Sequence, residues 1–345
     1  MSTPRENTDQ RIRRIGLPKA GTELKVAAIL FTYRCTIACR HCLFGCAAKR
    51  PDVVMDAARC VQYLGQLHRL GRVVHIAGGE AMMYWDVLKE VLERAHPRGL
   101  APHFIESNCS FAANDAIVRE RFEFFKRMGV FGVYLSTDPY HQQFVSPEHF
   151  LRARRIAGEI FGRQNVWCSG AGDQDVREHA AIARDGQRLA EFVRKHPPQM
   201  VGTAARELSP LLPSIPLDPA TAQPRQADAA ATEAFNQPCR SQFVPVGIWE
   251  IHIDPYDNIQ TNCGVIVGNA TKTPVDELMA DGLLTSDIVR VLSVEGPAGL
   301  ARWARDRHGY VVPPAVCQKC ELCYRTRSFL RRFHPEVLGP AELYP

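Results

Sequence analysis

Three cysteines, Cys35, Cys39 and Cys42, stand at C-x3-C-x2-C spacing directly after an apolar run, Val26 to Phe31, that reads as a buried strand. Thiolates are preferred ligands of iron–sulfur clusters, and a loop of this length can set three of them around one face of a cube. Three ligands are one fewer than the irons of a [4Fe–4S] cluster. One iron then stays open to another partner, the same logic that separates reactive from structural metal sites. A zinc site, or thiols kept reduced and idle, is the plainer reading of the same spacing.

What surrounds that loop is a chain of 345 residues, 46% hydrophobic, long enough for one large domain and a smaller one. The net charge of +5 is mild and the basic residues are scattered, so nucleic acid is not implied. No run of about 18 apolar residues occurs, and the N-terminus has no signal-peptide core, so no membrane is expected and the chain reads as cytoplasmic. Twelve cysteines in such a chain argue for metal sites rather than disulfides, because they gather in two clumps near the two ends. Cys60, Cys109 and Cys168 lie singly in apolar stretches and read as small buried hydrophobes, and Cys46 as a structural thiol outside the three-cysteine pattern.

From Leu24 to about Met200, short apolar runs alternate with amphipathic stretches. Strands are predicted at Val26–Phe31, Val73–Ala77, Pro102–Glu106, Gly132–Ser136 and Asn165–Ser169, and helices at Met55–Leu70, Trp85–Ala95, Asp115–Met128 and Pro147–Ile160. Units of this size build a parallel sheet with crossover helices, and ligands of such sheets gather at the C-terminal strand ends. Periodicity alone leaves a barrel and an open sheet both standing. Polar residues do fall at those ends: Gly78-Gly79-Glu80 after the second strand, Glu106-Ser107-Asn108 after the third, and Ser136-Thr137-Asp138-Pro139-Tyr140-His141 after the fourth.

The cysteine loop after a first strand, with Gly-Gly-Glu one βα unit later, resembles the radical S-adenosylmethionine (radical SAM) superfamily. The resemblance implies a partial (β/α)6 barrel in an α/β fold. It also implies a [4Fe–4S] cluster on Cys35, Cys39 and Cys42 whose open iron chelates S-adenosylmethionine (SAM), and reductive cleavage of SAM to a 5′-deoxyadenosyl radical that abstracts hydrogen from a substrate. Gly78, Gly79 and Glu80 would hold the SAM amino group, and Ser136 and Asp138 its ribose and carboxylate. Facing the substrate, or capping the following segment, is the alternative role for Asp138. Tyr140 and His141, next in the chain, are expected over the barrel mouth as candidates for substrate contact or proton transfer. An external donor such as flavodoxin or ferredoxin would supply the electron.

Pro197 and Pro198 break the helical pattern, and Pro210 to Ala231 reads as a linker. The expected division is a tail over 1–23, the core over 24–208, a linker over 209–237 and a cysteine-rich α+β domain over 238–345. In that last part, alternating residues from Ile248 to Cys263 make a β-hairpin with Asn258 in its turn, where left-handed backbone is tolerated. With Cys239 before it and Cys317, Cys320 and Cys323 after it, the segment resembles the SPASM and Twitch extensions, which wrap an auxiliary [4Fe–4S] cluster. Five cysteines favour the one-cluster version, with Cys239, Cys263, Cys317 and Cys320 as ligands and Cys323 spare or replacing one of them. A zinc knuckle satisfies the same local spacing. In relatives of this kind the net reaction is an oxidation or bond-forming modification of a peptide or a small natural-product precursor. The competing class is an iron–sulfur electron carrier or a zinc protein without SAM chemistry.

Overall fold

A computed structural model describes residues 25–169, 173–225, 235, 237–243, 248–283 and 285–344. The tail expected over 1–23 and part of the linker, 226–234 and 236, lie outside these. Strands β1 (Val26–Leu30), β2 (Val73–Ala77), β3 (Phe104–Ser107), β4 (Gly132–Ser136) and β5 (Val166–Ser169) alternate with helices α1 (Ala57–Arg69), α2 (Trp85–Ala95), α3 (Asp115–Arg127) and α4 (Pro147–Phe161). The predicted elements are all present, with ends shifted by at most about two residues. Local chemistry sets those ends. Asp56 accepts the Arg59 N–H at the start of α1, Asn114 accepts that of Ile117 at α3, and Ser146 precedes Pro147 at the first position of α4.

The strands pair in parallel in the order β1-β2-β3-β4-β5. One face, with Ala27, Ile29, Val74, Ile76, Ile105 and Val133, packs against the helices, whose apolar stripes (Val61, Leu64 and Leu67 on α1) are fully buried. Each such side chain contributes about 1.5–3 kcal/mol. The inner face alternates with it and carries a different set, including Ala28, His75, Phe104, Glu106, Tyr134 and Ser136.

After β5 come α5 (Asp173–Arg184), α6 (Gly186–Lys195) and the short α7 (Thr203–Glu207). The stretch expected to open a linker is instead ordered: β6 (Ile215–Asp218) pairs antiparallel with β7 (Gln223–Pro224) and with β11 (Ala315–Val316). Leu217 and Ala222 anchor it in the core. Strands of two to four residues carrying Pro216 and Pro224 show no period-two signal, which is why the sequence reads as linker there.

Beyond α8 (Arg240–Phe243), the predicted hairpin is β8 (Glu250–Ile253) and β9 (Asn258–Thr261), followed by β10 (Ile266–Asn269). The hairpin is not set apart from the parallel sheet. β8 lies parallel to β1, pairing Val26 with Glu250 and Ala28 with His252, and the eight-stranded order is β10-β9-β8-β1-β2-β3-β4-β5. The left-handed turn residue is Asp257 (φ 66°) rather than Asn258, which begins β9. Asp257 is held by Arg59 Nη1 (2.7 and 2.8 Å) and by the Tyr63 hydroxyl (2.8 Å) from α1. The chain continues through α9 (Val275–Asp281), α10 (Asp287–His308, broken at Gly296-Pro297) and α11 (Lys319–Leu330).

A buried polar link joins the hairpin to the start of the cysteine loop. The Tyr33 hydroxyl donates to Asp254 Oδ2 (2.9 Å) and accepts from Gln260 Nε2 (2.8 Å). Tyr33→Phe removes both bonds and leaves a buried amide and carboxylate short of a partner. It should lower stability by about 1–3 kcal/mol, read as a lower urea midpoint with an unchanged slope.

Candidate functional site

The cysteine loop is laced to the end of β2. Phe31 N–H donates to Ala77 O (2.8 Å), Gly79 N–H to Thr32 O (2.7 Å) and Glu80 N–H to Arg34 O (3.1 Å). Only glycine fits at position 79, since a Cβ there would fall 1.9 Å from the Arg34 carbonyl oxygen. Within the loop, Cys35 N–H reaches Ala47 O (3.3 Å) and Cys42 N–H reaches Cys39 O (3.1 Å). From outside, Thr203 N–H at the start of α7 donates to Cys42 O (3.0 Å).

This geometry brings Cys35, Cys39 and Cys42 onto the wall of a cavity of about 400 Å³ that Gly78 and Gly79 also line. Glu106, Ser107, Asn108 and Ser136 join them from β3 and β4, so the third strand end is part of the cavity rather than a solvated turn. Two sulfurs already receive N–H donors: Asn108 Nδ2 on Cys35 Sγ (3.4 Å) and Cys46 N–H on Cys42 Sγ (3.3 Å). Bonds of this kind tune iron–sulfur clusters. Burial pushes the Cys35 and Cys39 thiols up, so a charge-neutralising metal is what would let them ionise together. The donor set, the glycine cradle and the N–H···S bonds all fit a cluster with an open iron. Cys46, read from sequence as a bystander, lines the same cavity.

The other expected contacts divide. His141 lines the cavity, with Nδ1 2.8 Å from Asp138 Oδ2. Its burial disfavours charge, but Asp138 and Cys39 outweigh this and raise its pKa. Asp138 does not line the cavity: it accepts the backbone N–H groups of Tyr140 (3.0 Å) and His141 (3.2 Å) and the Ser169 hydroxyl (3.1 Å). It therefore caps the turn, the alternative the sequence allowed. Tyr140 is buried behind the loop instead of standing over the mouth, its ring stacked on His41 at 4.4 Å. Glu80 is also turned inward. Its Oε1 accepts from Ser107 Oγ (3.0 Å) and Met82 N–H (3.1 Å), and its Oε2 from Asn108 N–H (2.8 Å). Burial lifts that carboxyl to about 6. Gly78 and Gly79, not the Glu80 carboxylate, form the surface facing the thiols.

A second cavity of about 280 Å³ is lined by Cys239, Cys263, Cys320 and Cys323. Helix phase chooses among the last three cysteines: Cys320, Cys323 and Arg327 are spaced three and four residues apart on α11 and share one face. Cys317 precedes the helix, with its N–H on Glu321 Oε2 (2.6 Å), and does not line the cavity. Cys323 thus stands where Cys317 was expected. Among the described residues, no three of these four thiols converge within 4.8 Å, whereas thiolates sharing one zinc would stand roughly 3.8 Å apart.

Arg327 supplies the sharper test of what this cavity fits. It is fully buried, bonded through Nη1 to Cys263 O (3.0 Å) and the Tyr344 hydroxyl (2.9 Å), while its Nε and Nη2 have no hydrogen-bond partner. A buried guanidinium with two orphaned donors beside four thiols suits an anionic occupant, which four thiolates around iron and sulfide would be. No sequence pattern marks Arg327, because only the phase of α11 aims it there. Gln199 lines both cavities.

Residues 29–159 match the family model of the Radical SAM superfamily. Among solved structures, the chain is similar to BtrN, described as in complex with AdoMet and 2-DOIA. The identity is 13%, 82% of this chain and 93% of that one are covered, and the TM-score is 0.42. It is also similar to Streptococcus suis SuiB bound to S-adenosylmethionine, at 13% identity over 85% of this chain and 70% of that one, with a TM-score of 0.30. No curated protein sequence matches the chain. Among the described residues, no helix is long and apolar enough to cross a membrane.

The glycine cradle gives a direct test. Gly79→Ala should displace the cysteine loop, costing about 1–3 kcal/mol and reducing the iron bound after anaerobic reconstitution, whereas Gly186→Ala, with open space at its Cβ and no left-handed backbone, should leave the iron unchanged. The segment that matches the Radical SAM superfamily model, residues 29 to 159, spans the three-cysteine loop, the Gly78-Gly79 turn and strands β2 to β4.

Proposed function

We propose that this chain is a radical SAM enzyme whose substrate, a peptide or a small natural-product precursor, is oxidised or cross-linked in the 400 Å³ cavity. The observation that carries this reading is the meeting of Cys35, Cys39 and Cys42 with Gly78 and Gly79 on one wall of that cavity, inside the Radical SAM domain. A [4Fe–4S] cluster held by Cys35, Cys39 and Cys42 would, together with SAM, supply reductive C–S cleavage and hydrogen abstraction from the substrate. The chain's own residues hold and shield this chemistry. Gly78 and Gly79 let the backbone approach the amino-acid end of SAM, Ser136 offers a hydroxyl to its ribose, and Asn108 and Cys46 donate to the cluster-bearing sulfurs. Ile37, Leu43 and Phe44 line the same space with apolar surface that excludes water. Asp138 orients the ring of His141, which faces Cys39, and favours its protonated form.

Cys239, Cys263, Cys320 and Cys323 are assigned to an auxiliary [4Fe–4S] cluster of the Twitch kind, with Arg327 offsetting its charge. Four thiolates close the shell, which suits an electron acceptor more than a substrate ligand. Gln199 lines both cavities and so lies on a path for an electron leaving the substrate radical. A flavodoxin- or ferredoxin-like donor would reduce the first cluster.

Anaerobic iron and sulfide quantification with a SAM-cleavage assay under dithionite tests the whole reading. Wild type should hold about eight irons, and a Cys35/Cys39/Cys42→Ala variant about four with no 5′-deoxyadenosine formed. Cys323→Ala should lose the auxiliary irons while Cys317→Ala keeps them. The reverse outcome would return Cys317 to the ligand set, and absence of iron from the reconstituted wild type would refute the proposal.

A further inference from the structure

Beneath the cavity, the inner face of the sheet carries a cluster that the thiol chemistry does not use. His252 on β8, Ala28 on β1 and His75 on β2 stand in one register row. Parallel neighbours in a row share a face, and Ala28 is small enough for the imidazoles on either side to meet over it. Glu250, two residues before His252, lies on the same face. His75 Nε2 is 3.0 Å and His252 Nε2 is 3.3 Å from Glu250 Oε1. The three ligand atoms all lie within 4.8 Å of one another. Both histidines are buried, at 1% and 2% exposure.

We propose that His75, His252 and Glu250 form a mononuclear site for a divalent first-row transition ion. Atoms bound to such an ion at about 2.0–2.2 Å stand roughly 3.0–3.5 Å apart, and the two measured separations fall in that range. A pair of imidazoles with one carboxylate is a donor set suited to zinc, iron(II) or manganese(II). One remote nitrogen has a carboxylate nearby, as metal-bound histidines generally do: His75 Nδ1 lies 3.3 Å from Glu106 Oε1, while His252 Nδ1 has no hydrogen-bond partner. The rings are held in place, His75 stacked on Phe104 at 4.4 Å and His252 against the edge of Phe44 at 4.9 Å. Charge argues the same way, because Glu106 and Glu250 bring two carboxylates to one buried imidazole and a divalent cation balances them.

The site adjoins the cavity, since Glu106 and Phe44 line both. Three protein ligands leave the ion with positions for water or for an oxygen donor of a molecule held above it. No cysteine takes part, so the site stands whether or not the thiol-bound clusters do.

The test is zinc binding by the cluster-loaded chain, equilibrated anaerobically with micromolar Zn²⁺, desalted, and measured for metal content and X-ray absorption. Wild type should retain about one zinc beside its iron, with nitrogen and oxygen neighbours at about 2.0–2.1 Å rather than sulfur at about 2.3 Å. His252→Ala and the near-isosteric Glu250→Gln should each weaken zinc binding at least tenfold, while iron content and the visible cluster absorbance stay unchanged and report that the variants fold. A wild type that loads iron and holds no zinc, a zinc shell of sulfur, or zinc retained equally by both variants would each overturn the proposal and leave the cluster an ion-paired network.

Discussion

The structure depends on one close approach. The turn after β2 presses its backbone against residues 32–34 of the cysteine loop, through the hydrogen bonds from Gly79 to Thr32 and from Glu80 to Arg34. At that distance no side chain fits at position 79. The loop carrying three thiols is thereby seated on the C-terminal edge of a rigid parallel sheet instead of hanging from a single strand. Everything that reaches the cavity, from Asn108 on β3 to Ser136 on β4, does so because the same edge gathers successive strand ends into one place.

Much of this was legible in the chain. The strand and helix pattern through Phe161, the two cysteine groups and the glycine pair are local signals, and periodicity and spacing read local signals well. What was not legible is non-local. Nothing in Glu250 to Ile253 announces that the strand pairs with β1 more than two hundred residues earlier, so the hairpin reads as part of a separate domain. The C-x2-C-x2-C run from Cys317 to Cys323 offers two equivalent pairs in sequence; only the start of α11 at Lys319 rotates Cys317 away and brings Cys323 to the cavity with Arg327. Asp138, Glu80 and Tyr140 were in the right segments, but side-chain direction at a strand end is decided by neighbouring donors such as Ser107, Ser169 and the turn amides.

The histidines of the inner face illustrate a similar limit. His75 lies in an apolar strand, V-V-H-I-A, where a lone imidazole reads as a hydrogen-bonded core residue. Its significance appears only when the register sets His252 level with it across Ala28. A polar residue at an inward position of an otherwise apolar strand carries information, but its partners are specified by topology and not by sequence distance.

The pairing of β1 with both β2 and β8 has a consequence for how the polypeptide can be divided. β1 is the first described strand in sequence and yet an interior strand of the sheet. A fragment ending after α7 would keep every helix of the segment that matches the Radical SAM model and still leave one side of β1 bare. That side would be a fully apolar five-residue edge with unpaired amides and carbonyls, the kind of edge that recruits other chains. The late hairpin therefore covers an edge made by the first described strand, and ties the two cysteine groups into one sheet although their cavities are separate.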